Sequence, residues 1–413
     1  MKGSPVESNA FLDGVRVIEF CSVAAGPFCG MLLADMGADV IKVESPAVGD
    51  SMRAWPPLSA GPDDGAGYSE NFASLNRNKR SIALDLKDPN DHARARRLVA
   101  DADVVIENNR PGVMARLGLD HATLRAADPR LVYCSISAFG QSGPRSAEGG
   151  FDLTLQAMSG IMSVTGEPDG APAKCGVPLS DFTTGLYGAF AIASALRARE
   201  QSGQGAHIDA SMFGCSLAVA ALQTSEYFGN GTDPVKLGSA HPRNAPYQAF
   251  QAHDGYLAMA AGNDGLWQRV CTALERPDLT ADERFASTSL RTAHQNELRE
   301  ILESAFAECD VDELLTLFRA AGVPCAPINT YSAALADPQV EHMGWVQPIT
   351  LPNGHETSTF VSPLRIDGHP ATGHRPPPAL GEHTDEVLAG LGATDGARGT
   401  DRDDVARVAR AAS

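Results

Sequence analysis

The sequence predicts a doubly wound α/β protein, and three observations carry that prediction. Short apolar runs recur along the chain with helical segments between them, the pattern of a parallel sheet. A strand–helix–strand unit is already complete between Val15 and Glu44. Forty glycines and 27 prolines among 413 residues supply the tight connections such an alternation needs, and they are not confined to one low-complexity block.

Taken in order, VRVIEF (Val15–Phe20) reads as a buried strand and AAGPFCGMLLADMGA as a helix, with Pro27 suited to its first turn. DVIKVE (Asp39–Glu44) is the next strand. The stretch from Glu44 to Tyr68, rich in Pro, Gly and Ser, is a long loop. NRNKR then forms a basic turn with Arg77, Lys79 and Arg80, leading into the strand SIALDL. A helix through His92–Ala100, the strand DVVIENN, a helix opened by Pro111 and the strand RLVYCSISAFG follow. The glycine-containing loop GQSGPRSAEGG ends that series. Pro178–Ala198 is a long apolar helix opened by small residues. GQGAHIDASMFG gives a short strand and a further helix to about Tyr227.

The loop-rich GNGTDPVKLGSAHPRNAPYQAF marks a linker into a second region. That region, Tyr247–Val323, contains a hairpin around Asp254-Gly255 and helices over Leu266–Leu274, Asn296–Glu308 and Val311–Ala320. VPCAPINT returns the chain to the first domain. A last helix is expected over Asp403–Ala411 in the tail. The expected division is therefore 1–228, 229–325 and 326–413.

The net charge of −18 argues against nucleic acid as a general partner, since phosphate backbones require a basic face. An anionic ligand must be met by a local cluster of Lys and Arg. The eight cysteines have no CxxC spacing and sit in apolar runs, which fits small buried side chains in a reducing compartment. MKGSPVESNA lacks the apolar core of a signal peptide, and the apolar run Gly185–Leu196 is too short to span a bilayer. A cytoplasmic protein without membrane contact is expected. The first strand is not followed by GxGxxG, so a dinucleotide site of that kind is not expected. His241 and His253 lack metal-like spacing with Cys or carboxylates, so no metal is expected.

Asp181, in PLSDFTTGLYGAF, admits two readings. Ser180 or Asp181 can serve as the N-cap of the helix that follows. Alternatively Asp181 is a nucleophile. With a reference pKa of about 3.9 it is ionised at neutral pH and needs no neighbouring base. The densest basic grouping outside the tail is Lys79, Arg80, Lys87, Arg110 and Arg116, which is either a solvated face or a site for phosphate groups.

The ordered run DGVRVIEF, AAGPFCGMLLADMGADVIKVE, NRNKRSIALDLK, VIENNRPGVMARLGL, SISAFGQSGP, PLSDFTTGLYG and LGEHTDE resembles the family III CoA-transferases (the CaiB/BaiF family) from Leu12 to Leu391. The resemblance implies a Rossmann-like large domain with an inserted smaller α+β domain. It also implies two chains threaded through each other as an interlocked homodimer. It places the nucleophilic aspartate on Asp181 and a CoA site on Val23, Ala25, Leu84, Lys87, Asn108 and Arg116, and the basic cluster adds Lys79, Arg80 and Arg110. Coenzyme A is implied as substrate and product, with no permanently bound cofactor and a small carboxylic acid as the other reactant.

Two departures are visible in this sequence. Ser45 stands where some members have a basic residue that stacks on adenine. GSAHPRNAPYQ, from Gly238, replaces a very glycine-rich loop. The family also holds α-methylacyl-CoA racemases, whose catalytic histidine lies in a Gly-His-Asp segment. Here that segment is Gly150-Phe151-Asp152, and Phe151 cannot move a proton. Racemase chemistry would then need another histidine such as His241. SAHPRNAPYQAF and TTGLYGAF are most similar to members acting on dicarboxylic acids. Arg53 and Arg243 are either the pair for a distal carboxylate or ordinary surface arginines.

Overall fold

The computed structural model describes residues 10–62, 66–371 and 375–393. The helix expected over Asp403–Ala411 lies outside the described residues. The chain divides into two compact units. The first is formed by the described parts of 1–159, 176–224 and 343–413, and the second by 160–175 and 225–342. The second unit thus begins with a short segment ahead of the expected linker and runs past the expected boundary at residue 325.

In the first unit the elements run β1 (Arg16–Phe20), α1 (Ala25–Asp35), β2 (Asp39–Glu44), α2 (Glu70–Asn76), β3 (Lys79–Ala83) and α3 (Pro89–Ala100). There follow β4 (Val104–Glu107), α4 (Val113–Arg116), α5 (His121–Ala127), β5 (Val132–Ser137), α6 (Asp152–Met158), α7 (Leu179–Ser202), β6 (His207–Ser211) and α8 (Met212–Val219). The six strands form one parallel sheet in the order β3-β2-β1-β4-β5-β6. This is the doubly wound order of dinucleotide-binding folds, reached here without their glycine fingerprint.

Successive strand residues face opposite sides. Val17, Val40, Val104 and Val132 pack with α1 and with Ile192 and Leu196 of α7. Ile18, Ile41, Val105 and Tyr133 pack with α3, α5 and the C-terminal helix Thr384–Ala393. His383 docks that helix on the sheet edge: its N–H donates to Ser81 O (2.9 Å) and its Nδ1 accepts from Ser81 N–H (3.3 Å).

One boundary differs in a way that matters. β3 begins at Lys79, so Lys79 and Arg80 lie within a strand and not in a basic turn. Pairing with β2 continues back to Val40↔Lys79, and Lys79 faces inward with no exposed surface.

The second unit holds the expected hairpin, β7 (Tyr247–Gln251) with β8 (Tyr256–Ala260), paired antiparallel. VPCAPINT does not simply leave this unit: Cys325–Pro327 adds a third strand to β8. The helices Asp264–Ala273, Gln295–Phe306 and Val311–Ala320 cover the sheet around Trp267, Phe285, Phe306 and Phe318. All eight cysteines carry free thiols.

Candidate active site

In an open parallel sheet, ligands bind beyond the carboxyl ends of the strands where the strand order reverses. Here the reversal lies between β1 and β4. A cleft of about 230 Å³ opens at that point, lined by Ser22–Ala25 after β1, Asn108–Pro111 after β4, the end of β5, Gly149–Phe151 and Asp181. The two diverging loops are tied together by Asn108. Its Oδ1 accepts from Ser22 N–H (3.0 Å) and its Nδ2 donates to Ser22 O (2.7 Å).

Asp181 reaches this cleft because α7 crosses α1 at very close range. A Cβ on Gly185 would stand 2.8 Å from the Phe28 ring and 2.9 Å from Ala25 O. One on Gly188 would stand 3.1 Å from Cys29 Sγ. These two glycines let the helices touch backbone to side chain, and Phe182 closes the crossing on Phe28 with ring centroids 4.7 Å apart.

The N-cap reading of Ser180 and Asp181 is corrected. The cap position is Pro178, and both residues lie inside the first turn of α7. The cap is supplied across the chain: Asp152, at the start of α6, accepts from Ser180 N–H (3.0 Å), and Gln156 Nε2 donates to the same carboxylate. Ser216 Oγ lies 2.9 Å from the buried Ser180 Oγ and holds the turn from the other side. Asp181 is thereby released from capping. Among the described residues no cation pairs with it. Burial first, and then the like charge of Asp152, push its carboxyl up to about 7. At neutral pH Asp181 is therefore only part ionised, unlike the carboxylate of ordinary pKa expected from sequence.

The expected site residues separate into groups. Val23, Ala25, Asn108, Arg110 and Phe151 line the cleft with Asp181. The Phe151 ring is exposed. Arg110 and Arg116 are exposed, as is Lys87, and none of the three heads has an ion-pair partner among the described residues. Lys79 is removed from the phosphate-facing cluster. Its ammonium is fully buried on Glu19 Oε2 (2.9 Å), Pro27 O (2.7 Å) and Asn76 Oδ1 (3.0 Å). Arg80 is neutralised at the sheet edge by Asp39 (2.5 Å) and Glu386 (3.0 Å). Leu84 packs its side chain into the core, so only its backbone is left for a ligand.

Arg53 cannot offer its fork to a carboxylate. It grips both oxygens of Glu44 (2.7 and 2.8 Å), donates to Pro378 O and stacks over Phe72. His241 and Arg243 belong to the second unit, where Arg243 Nη1 meets Glu226 (3.1 Å). Sequence reasoning missed Asp152 as the cap of α7, because that cap is long-range in the chain. It also missed Ser22, Asn109 and Met212 as lining residues.

Residues 12–384 match CoA-transferase family III. The chain belongs to that family. It is 44% identical over 381 residues to a succinate–glutarate CoA-transferase of Agrobacterium fabrum, covering 92% of this chain and 95% of that protein. It is 37% identical over 385 residues to the mouse succinyl-CoA:glutarate CoA-transferase, covering 93% and 87%. Among solved structures, a CaiB/BaiF family protein of Brucella suis superposes with a TM-score of 0.83 at 41% identity, covering 93% of this chain and 100% of that one. This family III chain is thus a CoA-transferase by kinship, and the two relatives named above are succinate–glutarate CoA-transferases. Among the described residues no helix is long and apolar enough to cross a membrane.

Proposed function

We propose that this enzyme moves CoA from a dicarboxylic acyl-CoA to a free dicarboxylate through an aspartyl-CoA thioester on Asp181. The observation that carries the reading is a carboxylate without a cation partner, held in the cleft at the strand-order reversal. A carboxylate serving only the fold would be paired or would cap a helix, and Asp152 already caps this one.

In this mechanism Asp181 attacks the thioester carbonyl, the C–S bond breaks, and a mixed anhydride and CoA thiolate form. The thiolate attacks the Asp181 acyl carbon and releases the donor acid, leaving aspartyl-CoA. The acceptor carboxylate attacks that thioester and expels CoA thiolate. The thiolate then attacks the acceptor carbonyl and frees Asp181. Each step exchanges one activated acyl bond for another, so charge balances without a proton. Backbone N–H groups of the first turn of α1 and of Gly149-Gly150 are suited to the transient oxyanions. Arg110, Arg116 and Lys87, without ion-pair partners among the described residues, are cations suited to CoA phosphates. Phe151 leaves the cleft without the histidine of the racemase members, which favours transfer over epimerisation.

Succinate, glutarate and their CoA thioesters are the proposed substrates, following the activities named for the relatives. A panel of acyl-CoAs and free acids, followed by mass spectrometry, tests this. Exchange between succinyl-CoA and glutarate should exceed exchange with monocarboxylates. Equal rates with acetate or butyrate would reject the dicarboxylate assignment.

The protonation of Asp181 gives a second test. The kcat/KM for acyl-CoA reports the free enzyme, so it should rise with pH and reach half its plateau near pH 7. Asp152→Asn removes a like charge and keeps an oxygen for Ser180 N–H, so the midpoint should move down. A wild-type midpoint near pH 4 would contradict the geometry. The stability sign is opposite to that of a salt-bridged carboxylate. With its pKa raised on folding, Asp181 lowers stability as pH climbs from about 4 to about 7. Asp181→Asn should therefore melt above the wild type at pH 8, with the gap closing toward pH 4.

The homodimer belongs to this reading as well. Leu186, Tyr187 and Phe190 leave a large apolar ridge exposed on α7, which suits coverage by a second copy. Sedimentation at micromolar concentration should give a dimer, and a stable monomer would exclude it. The smaller domain inserted into the large one and a cytoplasmic location are part of the same proposal.

A further inference from the structure

Beneath the cleft lies a set of buried charges that the proposed chemistry does not use. Glu19 and Lys42 are register partners on adjacent central strands, and both side chains are fully buried. Lys42 Nζ touches Glu19 Oε1 (3.0 Å), Asp50 Oδ2 (2.9 Å) and Cys21 O (2.7 Å). The second Glu19 oxygen meets Lys79, whose ammonium also holds Pro27 O. Two cations and two anions balance, with Asp50 at the end nearest the cleft.

Asp50 aims at one unusual residue. Val23 has φ of +67°, a left-handed conformation that β-branched side chains strongly disfavour. Both Asp50 oxygens accept from Val23 N–H, at 3.1 and 3.2 Å, and Asp50 Oδ1 also accepts from Met52 N–H at 3.0 Å. Asp50 N–H is itself held by Glu44 (2.9 Å), the carboxylate gripped by Arg53. The β1–α1 loop and the first turn of α1 are therefore held at three backbone points, Cys21 O, Val23 N–H and Pro27 O, all by buried charges. Ser22–Ala25 of that loop form one wall of the cleft. Buried ion pairs are seldom the most stabilising way to fill a core, so their use here points to control of a conformation.

We infer that Asp50, held by Lys42, is a positioning residue for CoA binding: it keeps Val23 left-handed and so sets the cleft wall made by Ser22–Ala25. The inference rests on the reading that CoA enters this cleft, but not on Asp181 being the nucleophile. A wall fixed in advance lets the ligand meet preformed backbone donors without ordering a loop on binding.

Calorimetric titration of the full chain with CoA, together with steady-state exchange kinetics, tests it. Asp50→Ala should weaken CoA binding at least tenfold and raise the KM for acyl-CoA in parallel, while kcat at saturation changes less than threefold. Asp50→Asn, which keeps an oxygen for Val23 N–H, should show a smaller loss and serves if the alanine variant does not fold. Adding Val23→Gly to the Asp50 variant removes the steric cost of the left-handed turn and should recover part of the affinity. Dissociation constants within twofold of wild type in folded Asp50→Ala or Asp50→Asn would overturn the inference. So would a loss confined to kcat. The mass of any CoA adduct, lost in Asp181→Ala, tests the nucleophile separately, so the two failures cannot be confused.

Discussion

Asp181→Ala should abolish the covalent intermediate and reduce CoA exchange by at least about 10³-fold, the scale on which loss of a nucleophile is felt. Incubation of the wild type with acyl-CoA should give a protein mass raised by one CoA less one water, and the alanine variant should show none. The effect is expected to be chemical and not structural. Asp181 makes no ion pair among the described residues, and the first turn of α7 is held by Asp152 and Ser216 instead. The variant should therefore fold and still bind CoA. Exchange at wild-type rates in Asp181→Ala would falsify the mechanism, and loss of CoA binding along with exchange would show a structural role instead.

Glu19→Ala should cost about 3–5 kcal/mol of stability, because it leaves the buried Lys79 ammonium without a carboxylate and takes one of the two carboxylates of Lys42. Lys42 would keep Asp50 and Cys21 O, but Lys79 would keep only Pro27 O and Asn76. The space left is also hard to refill. Glu19 lies against Gly30, where a Cβ would come within 2.0 Å of its Oε2. Glu19→Gln keeps the shape and one acceptor and should cost less. Replacing Glu19 and Lys79 together by methionine should recover much of the loss, since Lys42 then keeps Asp50 and no buried charge is left without its opposite. Denaturant midpoints measure all three. A Glu19→Ala variant within about 1 kcal/mol of the wild type would show that the lysines find water or other partners.

Much of the fold was legible because it is written in local pattern. DVIKVE matches β2 residue for residue, and Val311–Ala320 forms the expected helix. The spacing of strands and helices points to a parallel sheet, whereas the loops after β1 and β4 enter as CoA segments only through the family resemblance. The lysine inside the apolar run DVIKVE is a legible sign, because a charge in a central strand must meet a partner. Lys79 and Arg80 differ from the sequence expectation for a related reason. Sequence shows that a residue is cationic, but not whether an acidic neighbour has already claimed it.

What the sequence by itself determined is the α/β alternation, the family and the presence of Asp181 at the start of a long helix. Those features follow from periodicity and from ordered motifs, which survive without coordinates. Only the tertiary structure decided what Asp181 is free to do. Asp152 reaches from α6 to cap α7, Gly185 and Gly188 let that helix press against α1, and burial with one like charge lifts the carboxyl to about 7. The same is true of Asp50, Lys42, Glu19 and Lys79, which close a neutral buried network only when β1, β2, β3 and the loop after β2 come together. Electrostatic interactions depend on distance and solvent exposure, and neither quantity exists until the chain has folded.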